Sequence, residues 1–211
     1  MLEVHEIPVT PFQQNATLWV CRETGEALVC DAGDAGPILA KIEALGVTVG
    51  KIIATHGHID HVAGTAELKR ALGVEFWFPP GDDGWLQAMP KQAMSFGLPV
   101  PEIPVYEHEI HEGQAMELGK VKLEVFHCPG HTPGHVVFHQ PEQRVLIAGD
   151  ILFAGSIGRT DFPGGSFEEL ERSIQDKLYV LPGDTVVHCG HGPVTEIGRE
   201  ARSNPFVRAK V

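Results

Sequence analysis

Apolar and polar positions along the chain alternate in short runs that are cut by Gly, Pro and acidic turns. Residues 2–9 alternate loosely and end at Pro8 and Pro11, as a strand does; residues 16–21 are rich in β-formers. Residues 22–25 predict a hairpin turn, and 27–31 the next strand. Asp34 predicts a helix cap, with Pro37 in the first turn, Leu45 at the end and Gly46 beyond it. The run 51–55 is a short apolar strand, 62–72 a helix closed by Gly73, and 74–78 another strand. Residues 79–104 are dense in Pro, Gly, Met and Trp, so they predict an irregular segment of the kind used as a lid or substrate-binding loop. Strands follow near 121–127, 135–139 and 144–149. Ser166 with Glu169 three residues on predicts a helix to about Tyr179. A last strand at 185–189 and a short helix near 195–203 complete the pattern. Strands come in blocks with helices between them, which predicts an α/β chain with two packed sheets and helices outside.

One polar cluster interrupts this pattern. Thr55-His56-Gly57-His58-Ile59-Asp60-His61 follows the apolar run 51–55 and holds four metal-binding side chains. Imidazole and carboxylate bind zinc, iron and manganese. A segment leaving a strand cannot easily turn all four onto one tetrahedral ion, but it can give two ligands to each of two. The run therefore predicts half of a binuclear site. Three later polar residues each end an apolar run beside Gly: His131 after 125–130, Asp150 after 145–149, and His191 after 186–190. Glycine suits a backbone that turns sharply beside an ion. The other histidines read differently. His5, His108, His111 and His139 suit the surface or a satisfied core, His127 and His188 suit packing, and His135 suits a turn beside the site.

Composition narrows the function. The chain has 211 residues and is read as one domain. A net charge of −12 repels phosphate backbones and argues against nucleic acid. Cys21, Cys30, Cys128 and Cys189 are scattered, so they read as free thiols in a reducing cytosol. Cys128 and Cys189 are expected to be small buried apolar residues. Neither a signal peptide nor a run of roughly 20 apolar residues is present, so a cytoplasmic protein with no membrane partner is expected. No G-x-S-x-G elbow offers a serine nucleophile.

His56-x-His58-x-Asp60-His61, then His131, Asp150 and His191, in that order, resembles the metallo-β-lactamase superfamily over essentially the whole chain. The resemblance implies an αββα four-layer sandwich. It implies a first ion on His56, His58 and His131, a second on Asp60, His61 and His191, and Asp150 bridging both. Asp31, at the end of an early strand, would orient a ligand histidine. The family's true lactamases commonly carry Cys in place of the bridging Asp, so Asp150 points to the glyoxalase II side, in the form of its short bacterial type II members.

That resemblance implies two divalent ions, zinc first and iron or manganese also possible. Asp60 and Asp150 are the implied catalytic residues, and a hydroxide bridging the two ions would attack a thioester. The implied substrate is S-D-lactoylglutathione, hydrolysed to D-lactate and glutathione by a cytoplasmic monomer in methylglyoxal detoxification. Arg159 and Phe162 match a stretch in which a basic residue meets the glutathione carboxylate. Arg159 stands where the family usually has Lys, and it can equally pair with Asp161 or Glu168. Only 20 residues follow His191, so the helical glutathione-binding domain of longer glyoxalase II enzymes is not expected. Arg199 and Arg202 either replace part of it or face solvent. Gly-Arg-Thr-Asp-Phe at 158–162 also resembles persulfide dioxygenase, which would use one iron on His56, His131 and Asp150. A lactone or ester hydrolase is a third expectation.

Overall fold

The computed structural model describes residues 1–210. Strands β1 (Leu2–Val9), β2 (Gln14–Cys21), β3 (Glu26–Cys30), β4 (Thr48–Ile53), β5 (Glu75–Phe78) and β6 (His108–Glu109) form one sheet in that order. β1, β2 and β3 pair antiparallel, whereas β4, β5 and β6 each add in parallel. The parallel steps need crossovers. Helix α1 (Ala35–Leu45) supplies the first, and α2 (Ile59–Val62) with α3 (Thr65–Leu72) the second. Asp34 caps α1 by accepting from Gly36 N–H at 3.0 Å, and Gly46 ends it at φ 64°. Ala35, Ile38 and Ile42 are the buried face of α1, at helical spacing.

The second sheet contains β7 (Ala115–Leu118), β8 (Val121–His127), β9 (Val136–Gln140), β10 (Val145–Gly149), β13 (Val186–Cys189) and β14 (Thr195–Glu196), in the order β14-β13-β10-β9-β8-β7. β10 and β13 are parallel and their other neighbours antiparallel. A small hairpin of β11 (Leu152–Phe153) and β12 (Ser156–Ile157) leaves this sheet just after Asp150. Helix α6 (Phe167–Ser173) widens into a π turn at Ile174–Leu178, and α7 (Ile197–Ser203) closes the chain. Ser166 accepts from Glu169 N–H at 3.3 Å, as its spacing predicts.

The chain divides into two compact units, one of Met1–Ile110 with Glu117–Val121, the other of His111–Met116 with the residues from Lys122 onward. In the first, Val29, Ile52, Phe76, Phe78, Leu68 and Leu86 pack into one apolar cluster. In the second, Val137, Leu146, Leu170, Ile174 and Val187 do so, together with Cys128 and Cys189. Full burial of each large side chain is worth roughly 1.5–3 kcal/mol. The four cysteines are free and buried. Burial pushes the Cys128 thiol up to about 12, which suits a packing role rather than a metal ligand. Among the described residues, no helix is long and apolar enough to cross a membrane.

Two local expectations are corrected. Residues 79–104 are not wholly irregular, because α4 (Asp83–Gln87) and α5 (Met89–Phe96) form there. Pro90 sits in the first turn of α5, where proline is tolerated, and Leu86, Met89 and Ala93 bury fully at helical spacing. The helix expected over 62–72 is broken at Ala63 and Gly64. A β-carbon at Gly64 would lie 2.5 Å from Ala35 N, so close packing there demands glycine.

Candidate metal centre

In the first unit, the polar run begins where β4 ends. His56 and His58 lie in extended backbone, and Asp60 and His61 lie on α2, for which His58 is the N-terminal cap residue. His56, His58 and His61 are buried. Their rings converge, with centroids 4.7 Å apart for His56–His58 and 4.1 Å for His56–His61. His56 Nε2 and His58 Nδ1 stand 3.1 Å apart. Two nitrogens on one tetrahedral zinc at Zn–N distances of about 2.0–2.1 Å would be separated by about 3.3 Å. Asp60 Oδ2 lies 3.9 Å from His61 Nε2.

The opposite edges of the His56 and His61 rings are held. Asp31, at the end of β3, takes a left-handed backbone (φ 61°) that Asp tolerates better than most residues. Its Oδ1 accepts from Thr55 N–H at 2.7 Å and its Oδ2 from the Thr55 hydroxyl at 2.9 Å. The same Oδ2 lies 3.1 Å from His61 Nδ1. Thr55 Oγ1 in turn lies 2.9 Å from His56 Nδ1. The pattern is satisfied when both Nδ1 atoms carry protons, which leaves both Nε2 lone pairs for an ion. Asp31 thus lies where a ligand-orienting residue would.

Residues that the sequence did not mark also support the run. Asp82, fully buried, accepts from Gly57 N–H at 2.9 Å, and Gln92 Oε1 accepts from Ile59 N–H at 2.9 Å. Trp85 sets its ring edge-on to His58 at 4.5 Å. The Gln14 side-chain amide stands 3.4 Å from His61 Nδ1. The α4–α5 segment therefore braces the polar run.

In the second unit, Asp150 stands beside His131 and His191. Its Oδ2 lies 3.6 Å from both His131 Nε2 and His191 Nε2. His131 Nδ1 donates to the Arg159 carbonyl at 2.7 Å, again leaving Nε2 for an ion. His135 Nε2 accepts from Asp150 N–H at 3.0 Å, so His135 positions the carboxylate's backbone. Glycines let the chain close around Asp150. A β-carbon at Gly158 would lie 1.8 Å from the Asp150 carbonyl oxygen, and one at Gly190 would lie 2.1 Å from Asp150 Oδ1. His127 bonds the Pro133 carbonyl at 2.7 Å and His139 pairs with Glu124 at 3.0 Å, as packing residues do.

Arg159 makes the structural pair anticipated for it. Its guanidinium donates to both Asp161 oxygens at 2.9 and 2.7 Å and stacks 4.2 Å over the Phe162 ring. That guanidinium holds the Asp161 carboxyl below its usual range. Both partners are mostly exposed, so the pair is screened by water. Phe162 lies edge-on 6.5 Å from His131. Arg199 and Arg202 are exposed on α7.

These donor sets fit divalent ions in ligand type, in spacing and in the support given to His56, His61 and His131; His and Asp side chains so grouped can hold metal. The comparisons agree. The profile of the Metallo-beta-lactamase superfamily matches residues 9–191. The chain is 41% identical to Hydroxyacylglutathione hydrolase GloC of Haemophilus influenzae, over 99% of this chain and 100% of that one. Among solved structures, TTHA1623 in a di-iron-bound form is 38% identical with a TM-score of 0.89, covering 97% of this chain and 100% of that one. BLEG-1 B3 metallo-beta-lactamase is 33% identical with a TM-score of 0.89, covering 98% and 99%. The chain belongs to the metallo-beta-lactamase superfamily and has its fold.

Proposed function

We propose that the seven side chains His56, His58, Asp60, His61, His131, Asp150 and His191 serve one centre for two divalent ions, and that the protein hydrolyses acyl thioesters of glutathione. His56, His58 and His131 would take one ion, Asp60, His61 and His191 the other, with Asp150 shared. Zinc suits this set, and iron is the alternative that the likeness to a di-iron protein raises. The substrate we favour is S-D-lactoylglutathione, giving D-lactate and glutathione, as the final step of methylglyoxal detoxification. The GloC relative supports the acyl-glutathione assignment. The carrying observation is that His56, His61 and His131 each have Nδ1 engaged by Thr55, Asp31 or the Arg159 carbonyl, so each Nε2 is set for an ion.

When bound, the ions supply an activated water nucleophile and polarise the acyl carbonyl. The chain's own residues orient the proposed ligand nitrogens and hold the Asp150 carboxylate close to two imidazoles. Trp85, Phe153 and Phe162 offer aromatic edges beside the ligand histidines. Arg159 would meet the glutathione carboxylate by exchanging Asp161 for it, an exchange that a solvent-exposed pair permits at low cost. A thiolate leaves without strong protonation, so no dedicated acid is required. Four buried free thiols suit a reducing cytosol.

The test is hydrolysis of S-D-lactoylglutathione by metal-replete protein, followed by D-lactate release, with a lactoyl thioester of N-acetylcysteamine beside it. Turnover of both, faster with the glutathione ester, is expected. No turnover of any thioester would overturn the reading.

A further inference from the structure

The hairpin of β11 and β12, with Gly158 and Arg159 at its exit, lies beside each proposed ligand of the second unit. It begins two residues after Asp150, and Phe153 on its first strand lies edge-on 6.1 Å from His191. At its exit, Gly158 N–H donates to the Ile151 carbonyl at 3.3 Å and Gly158 packs on the Asp150 backbone. The next residue, Arg159, offers the carbonyl that His131 Nδ1 holds. A shift of this hairpin would move the supports of His131, Asp150 and His191 together.

Its tip is tied down from α7. Glu200 is 1% exposed, and its Oε2 accepts from Gly155 N–H at the hairpin turn at 2.9 Å. The same oxygen accepts from Asn204 Nδ2 at 2.9 Å, while Oε1 accepts from the Thr195 hydroxyl at 2.6 Å. Asn204, fully buried, also donates to the Ser156 carbonyl at 3.0 Å, and its Oδ1 accepts from Phe206 and Val207 N–H at 3.0 and 3.3 Å. Arg199 Nε stands 3.9 Å from Glu200 Oε1 and offers the charge a counterpart. Burying a carboxylate is costly unless such partners satisfy it. A glutamate placed only to hold α7 to β14 would need Thr195 and Asn204. The bond to Gly155 reaches further, to a backbone amide 45 residues away at the turn that leads to the metal ligands.

We infer that Glu200 is a positioning residue for the second unit's half of the metal centre, acting through the β11–β12 hairpin on the Arg159 carbonyl and so on the proton at His131 Nδ1. This inference rests on the two-ion reading above. It also gives α7 a role other than replacing the glutathione contacts of a helical domain.

Three variants separate positioning from bulk stability. Glu200→Met keeps most of the volume and removes the acceptor for Gly155. Thr195→Val removes only the hydroxyl that donates to Oε1. Glu200→Gln keeps one oxygen for Gly155 while its amide donates to the Thr195 hydroxyl. Two readouts apply to each: ion affinity by competition with a chelator, and the His131 Nδ1 proton by nitrogen-resolved NMR of the metal-free protein. For Glu200→Met we expect at least a roughly 10-fold loss of affinity for one ion and loss of the protected His131 Nδ1 proton. Thr195→Val should lower the melting temperature but leave both readouts near wild type, and Glu200→Gln should restore both. If Glu200→Met does not fold, Asn204→Ala, which frees Ser156, must show the same two losses. Wild-type readouts in Glu200→Met, or losses in Thr195→Val that match those in Glu200→Met, would overturn the inference. If wild-type protein binds no ion, the two-ion reading fails, while the His131 proton still decides the role of Glu200.

Discussion

Replacing Asp31 with Asn changes one atom and should disable one ion position. Asn tolerates the left-handed backbone at φ 61°, so little strain is added. Its amide oxygen takes the place of Oδ1 and keeps the 2.7 Å bond from Thr55 N–H. The amide nitrogen then replaces Oδ2, facing Thr55 Oγ1 at 2.9 Å and His61 Nδ1 at 3.1 Å. The hydroxyl can accept instead of donate, but His61 Nδ1 must give up its proton to accept. The proton moves to Nε2, the atom proposed to bind the ion. The reverse flip would set amide nitrogen against Thr55 N–H and leave that buried donor unsatisfied, costing about 1–3 kcal/mol. His56 keeps its bond to Thr55 in either case. The expected result is a 10–100-fold loss of affinity, or about 1.4–2.7 kcal/mol, confined to one ion. A chelator-competition titration that resolves two binding constants measures it. Unchanged constants, or equal loss of both, would refute the tautomer reasoning.

Other expectations follow from the same contacts. Arg159→Ala should raise KM for a glutathione thioester several-fold more than for a carboxylate-free one; equal effects would show that Arg159 does not read the carboxylate. Gly158→Ala should abolish stoichiometric ion binding, because its β-carbon would lie 1.8 Å from a backbone oxygen that cannot swing away; elemental analysis checks this, and full ion content would contradict it. Glu107 is pushed up by burial but held below its ordinary carboxyl range by bonds from Lys69 and Phe76 N–H. Its folded pKa is therefore depressed, so its stabilisation is complete above the ordinary value of 4.5 and is lost as pH falls through the lowered value. Glu107→Gln should accordingly flatten the acid limb of the stability profile; an unchanged limb in acid titrations followed by circular dichroism would remove Glu107 from that role.

The proposed ligands were legible in the sequence because their chemistry is local. Strand ends, glycine neighbours and residue type all mark His56, His131, Asp150 and His191. Strands with clear turn punctuation, such as β1 to β3, and helices with caps, such as α1, were legible for the same reason. Of what supports the proposed ligands, Asp31 was legible and the rest was not. Asp82, Gln92 and Glu200 act across 25, 33 and 45 residues, and no local pattern marks such pairs. Helices α4 and α5 were hidden because Pro80, Gly81, Gly84 and Pro90 read as loop chemistry, whereas burial of Leu86, Met89 and Ala93 overrides that composition. The break before α3 was equally hidden, since it comes from Gly64 packing on the backbone of α1's first turn.

Two ions serving one hydrolytic centre is the claim on which the account turns. The direct measurement is metal content per chain of active protein, taken together with S-D-lactoylglutathione turnover under anaerobic conditions. Two ions per chain are expected, with D-lactate release at the same rate with or without oxygen, and loss of both ions and turnover in Asp150→Ala. A single iron with oxygen uptake on a glutathione persulfide, or full activity in Asp150→Ala, would contradict it.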